Sequence, residues 1–273
     1  MIYINYTGQF GNCMFQYVFA RLLAEHNKLN LITHGPLELE CTALTPYIES
    51  ETKKGTYTIT DEYYHQYRLA NGSKLFDLDP DYDYVISGYF QDADLLNSYA
   101  SVIKGYFKIN YPSTLIDKTL VMVRLGDFNH SGYNSEIIHH VWYTSVFKNI
   151  QNQKVFTITN NGRERAQTTE EQEKIYKSKI ITSVDEILPH RENMYTEFVE
   201  AMQYKQIVCS NSTWGWWASF LSSATKIYTF AKFGSFGVKE IKSHGIHVNN
   251  LSNIRNVSQV LDGEFLDITQ LNS

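Results

Sequence analysis

Residues 1–26 read MIYINYTGQFGNCMFQYVFARLLAEH, and this stretch decides the fold. Ile2 to Tyr6 predicts a buried strand. Gly8-Gln9-Phe10-Gly11-Asn12 follows as a glycine-bearing turn. From Cys13 to His26 apolar residues recur at helical spacing, with Met14, Tyr17, Val18 and Leu22 on one stripe. The chain therefore opens with a strand–turn–helix unit. Glycines at such a turn let backbone approach a ligand closely. The spacing is not that of a dinucleotide fingerprint. A plain tight turn, with Asn12 capping the helix, is the alternative.

The same alternation continues outward. Strands are predicted at 29–33, 84–89, 120–124, 155–159, 180–182, 207–209 and 227–230. Helices are predicted at 92–107, 139–150, 168–176, 194–203, 214–223 and 252–261. This βαβα order implies an α/β protein with parallel sheet covered by helices. Residues 35–82, rich in Tyr, Thr and acids, read as irregular. Tyr111-Pro112-Ser113-Thr114 breaks the pattern as a linker. Two halves result, 1–112 and 113–273.

Composition narrows the function. Apolar residues at 43% and charged residues at 19% suit a folded globular chain. A net charge of -5 argues against a nonspecific nucleic-acid binder, which needs a basic surface. The 20 Tyr supply rings that fill cores and also stack on sugars and bases. Cys13, Cys41 and Cys209 form no CxxC pair, so structural zinc is not expected, and a sparse, odd count fits a reducing compartment. No signal peptide and no membrane-spanning stretch is read. A cytoplasmic location is expected, with peripheral membrane association left open.

Two further segments carry candidate chemistry. Val121-Met122-Val123-Arg124-Leu125-Gly126-Asp127 ends an apolar strand on an Arg, a Gly and an Asp. In open parallel sheets ligands bind beyond the carboxyl ends of strands. An Arg there can hold a pyrophosphate through two parallel hydrogen bonds and neutralise it as a leaving group. Asp127 can orient that Arg or act as a base; a surface Arg–Asp pair is the bland alternative. Cys209-Ser210-Asn211-Ser212-Thr213 places small polar residues between a strand and the helix opened by Trp214-Gly215-Trp216-Trp217. Hydroxyls and free N–H groups at a helix start make an anion site. The competing role is an N-cap above a structural Trp core.

Together the three segments resemble the α-1,2-fucosyltransferase family. Gly8 to Arg21 is similar to its motif G-x-G-N-Q-M-F-Q-Y-x-x-A-R. Met122 to Phe128 is similar to H-x-R-R-G-D-Y, with Met122 at the His position and Leu125 at the second Arg. Ser210 to Ala218 is similar to S-N-S-T/S-F-S-W-W-A. The resemblance implies a GT-B-like architecture: two Rossmann-like halves with a cleft, acceptor on the N-terminal half and nucleotide sugar on the C-terminal half. It implies inverting transfer of L-fucose from GDP-fucose to a glycan hydroxyl, with no cofactor and no metal. Arg124 would bind the donor pyrophosphate, and Ser210, Asn211, Ser212 and Thr213 would line the donor site. Gly11, Asn12 and Gln16 would face the cleft. Another GDP- or UDP-sugar, or a non-catalytic sugar binder, stays open.

The catalytic base is open between Asp127, His130 and Glu136, and an oxocarbenium-like transition state lessens the need for a strong one. A metal-dependent alternative rests on the overlapping D-x-D triplets of Asp77, Asp79, Asp81 and Asp83, since alternate carboxylates of an extended segment share a face. A solvated acidic loop is the simpler account of them.

Overall fold

The computed structural model describes residues 1–33, 39–48, 52–111, 113–124, 140–148, 150–159, 178, 180–188, 193–210 and 212–228. They fall into two compact units that divide between Asn110 and Tyr111.

The first unit holds strands β1 (Ile2–Ile4), β2 (Leu31–Ile32), β3 (Gly55–Thr60) and β4 (Tyr82–Ser87). Its helices are α1 (Phe10–Asn27), α2 (Asp61–Asn71), α3 (Ala93–Ser98) and α4 (Ala100–Lys104). The strands form one parallel sheet in the order β2-β1-β4-β3. Helix α1 is buried nearly all round: Met14, Phe15, Val18 and Leu23 have no exposed surface. Its end is fixed by Lys28, left-handed at φ 55, whose N–H returns to the Ala24 and Glu25 carbonyls.

The second unit holds β5 (Ile116–Arg124), α5 (His140–Phe147), β6 (Lys154–Thr159), β7 (Glu186–Ile187), α6 (Met194–Ala201), β8 (Tyr204–Val208), α7 (Thr213–Leu221) and β9 (Lys226–Tyr228). All five strands are parallel, in the order β7-β6-β5-β8-β9. Leu120, Val121, Met122 and Val123 are at most 1% exposed, as a central strand covered on both faces requires. The chain steps outward from β5 to β6 and β7, then returns to the other side of β5 at β8. The strand order thus reverses between β5 and β8, the position where such sheets bind ligands.

Several sequence expectations need correction. The first helix begins at Phe10, with Gln9 as N-cap, so Asn12 lies in its first turn and does not cap it. The stretch expected to be irregular contains β3 and α2. The helix expected at 92–107 is two short ones, broken at Tyr99. The strand expected at 180–182 is a turn of 3-10 helix over Ile181–Ser183. The helices expected at 168–176 and 252–261 lie outside the described residues.

Candidate functional site

The reversal point of the second sheet brings two of the three sequence motifs to one end. The register Val121↔Val208 fixes β5 against β8. Arg124 is the last residue of β5, three beyond Val121, and so stands where the neighbouring chain leaves β8 for α7. Its side chain is 7% exposed. A guanidinium keeps its charge even when buried.

Ser210 and Ser212 build the start of α7. Their hydroxyls are bonded to each other at 2.8 Å, and the Ser212 Oγ accepts the Gly215 N–H at 3.0 Å. The Ser212 carbonyl accepts the Trp216 N–H. Both serines are buried, so their hydroxyls shape the turn and do not line an open surface. What the helix start leaves open are the N–H groups of Thr213 and Trp214, which meet no acceptor among the described residues. These N–H groups and the positive end of the helix suit an anion. Cys209 is buried behind them, and burial pushes its thiol up to about 12, so it stays neutral packing. Trp216 stacks on Phe220 at 4.8 Å and Trp217 is fully buried, so the tryptophans anchor α7 from inside. Met122, at the motif's His position, is wholly within the core and reaches no ligand. Asp127, His130, Glu136 and Asn211 lie outside the described residues.

In the first sheet β4 lies parallel beside β1, so the segments that follow these two strands leave the same end of the sheet. Gly8 follows β1 at φ 80, and a Cβ there would lie 3.0 Å from that of Asn12. Gly11 is buried in the first turn of α1. Gln16 is fully buried and clamps the turn: it accepts the Thr7 N–H at 2.9 Å and donates to the Thr7 carbonyl at 2.6 Å. Asn12 accepts a hydrogen bond from Gln91 at 3.1 Å.

Gln91 belongs to a loop that the sequence motifs did not single out. Asp61, the first residue of α2, accepts the N–H groups of Tyr89 and Phe90 at 2.6 and 2.8 Å. Gly88 lets it approach, since a Cβ there would be 2.7 Å from the Asp61 carboxyl carbon. Phe90 is left-handed at φ 50 and stacked on Phe19 at 4.2 Å. Asp92 caps α3, is 1% exposed, and accepts from the Tyr64 hydroxyl at 2.9 Å. A glycine near the end of the strand predicted at 84–89, followed by a capping Asp, is the signal that marks this loop.

The acidic run does not converge. Asp77 faces His26, Asp79 accepts from the Asp81 N–H, Asp81 pairs with Lys54 and Asp83 with the Met1 amino group. Among the described residues no three metal-ligating side chains cluster. Nor is any described helix long and apolar enough to cross a membrane.

No family model and no curated protein matches the chain. Two solved structures align with it. POFUT1 in complex with GDP-fucose has 11% identity and a TM-score of 0.45, over 84% of this chain and 97% of that one. POFUT1 in complex with GDP has 9% identity and a TM-score of 0.41, over 81% and 94%.

Proposed function

We propose that the chain is a nucleotide-sugar-dependent glycosyltransferase of GT-B-like organisation. Its donor site lies at the carboxyl ends of β5 and β8, and its acceptor side lies on the first unit. The observation that carries this reading is the position of Arg124. A buried guanidinium ends the central strand at the point of order reversal, level with the open N-terminus of α7. A permanent cation and a helix start at the same end of two neighbouring strands suit a pyrophosphate.

In the mechanism that follows, the acceptor hydroxyl oxygen attacks the anomeric carbon of the donor sugar from the face opposite the nucleotide. The bond from that carbon to the pyrophosphate breaks, and its electron pair stays on the departing phosphate oxygen. Arg124 and the Thr213 and Trp214 N–H groups stabilise the negative charge that develops there. The hydroxyl proton passes to a base, for which Asp127 is the foremost candidate. The motif resemblance points to GDP-fucose as donor and to an inverting, α-1,2-forming transfer that needs no metal.

Calorimetry with GDP, UDP and GDP-fucose, with and without EDTA, tests this. The expected outcome is GDP and GDP-fucose binding that is indifferent to EDTA. Preference for UDP discards fucose, dependence on metal discards the metal-free mechanism, and absence of binding to every nucleotide discards the function.

A further inference from the structure

Two side-chain amides meet beyond the carboxyl ends of the neighbouring strands β1 and β4, and the donor chemistry above does not use them. Gln91 follows β4 and Asn12 lies just after β1, joined by one hydrogen bond of 3.1 Å. Gln91 is 8% exposed, yet its Oε1 meets no donor among the described residues. The Asn12 Nδ2 likewise meets no acceptor among them. This does not depend on how either amide is turned. A pair joined once always keeps one carbonyl oxygen and N–H groups to spare.

The chemistry of the pair selects its ligand. A donor beside an acceptor matches sugar hydroxyls, each of which gives and accepts. It mismatches a phosphate, which only accepts. The frame is held in advance: Asp61 fixes the backbone at Tyr89 and Phe90, and Phe90 is packed on Phe19. Tyr89, on the same loop, keeps an exposed ring of the kind on which sugars stack.

We propose that Asn12, Gln91 and Tyr89 form a subsite for the hydroxyls of a neutral pyranoside, the acceptor sugar of the transfer. This assignment rests on the glycosyltransferase reading above. The test is saturation-transfer NMR on the full chain with methyl β-D-galactopyranoside, methyl β-D-glucopyranoside and methyl α-D-mannopyranoside, alongside GDP calorimetry. At least one glycoside binds the wild-type protein. Gln91→Met, which keeps the side-chain volume, weakens it about ten-fold, the loss of one neutral hydrogen bond. Tyr89→Ala, at an exposed position, weakens it too and settles the matter should Gln91→Met fail to fold. GDP affinity is unchanged in both variants. The subsite is overturned if no glycoside binds the wild-type protein, or if the folded variants bind as it does. Glycoside binding without any nucleotide binding overturns the proposed function and leaves the sugar subsite standing.

Discussion

A Cβ on Gly215 would lie 2.6 Å from the Ser210 hydroxyl oxygen, so the segment after β8 and the first turn of α7 pack closely at that position. The same Cβ would come within 3.1 Å of the Ser212 Oγ, the atom that caps the helix. Gly215→Ala is expected to cost about 1–3 kcal/mol through overpacking. It should also lower GDP affinity, because the displaced cap moves the Thr213 and Trp214 N–H groups. Urea unfolding with parallel calorimetry reads both effects. An alanine variant as stable as the parent, with unchanged GDP binding, would refute the fit.

Arg124 offers the sharpest test of the donor site. Arg124→Ala removes a charged fork, and GDP affinity should fall by roughly 100-fold, corresponding to about 3 kcal/mol. Arg124→Lys keeps the charge but loses the two-pronged geometry, so it should recover only part of the affinity. Calorimetry on the two folded variants distinguishes these cases. Full affinity in Arg124→Ala would move the pyrophosphate elsewhere.

How much of this the sequence disclosed depends on where each signal came from. Strand β5 was legible because a central parallel strand is apolar without interruption, and Arg124 was legible because it ends that run. Strand β3 was not, because it is an edge strand with all but Ile59 exposed, and its Gly-Thr-Tyr-Thr-Ile-Thr resembles loop composition. Helix α2 shared that fate, with Tyr64 its one buried residue. The three motifs named Asn12, but its partner Gln91 stands 79 residues away. No local pattern reports a contact set by the adjacency of β1 and β4. The serines illustrate the opposite limit: their residue types announced a helix start, while only the geometry showed their hydroxyls turned inward.

Asp61 is expected to govern the order of the loop that carries Gln91. Its two carboxylate oxygens each accept one backbone N–H. Asp61→Asn replaces one acceptor by an NH2 group facing an N–H, which should cost on the order of 1–3 kcal/mol. Amide hydrogen exchange at Tyr89 and Phe90 should rise more than at α1. Equal protection of those two amides in the variant would show that the loop is held by packing alone.

Lys104 gives a pH-dependent prediction with a definite sign. It lies in the last turn of α4, where the helix dipole favours a cation, yet burial lowers its ammonium to about 8 from the ordinary 10.5. Between those values the unfolded chain holds more protons than the folded one, so stability rises with pH. Below about pH 8 both states are protonated and the full cost of burying the charge is present. Above pH 10.5 it has gone. Lys104→Met keeps the length of the side chain and removes the charge. The variant should be more stable than the parent at pH 7, by on the order of 1 kcal/mol after solvent screening. That advantage should shrink steadily as pH rises from 8 to 10.5. Comparing the two proteins cancels the titration of the tyrosines, several of which burial also shifts. Urea unfolding at four pH values across that window is sufficient. A stability difference that stays constant with pH would show that the Lys104 charge is fully solvated in the folded protein.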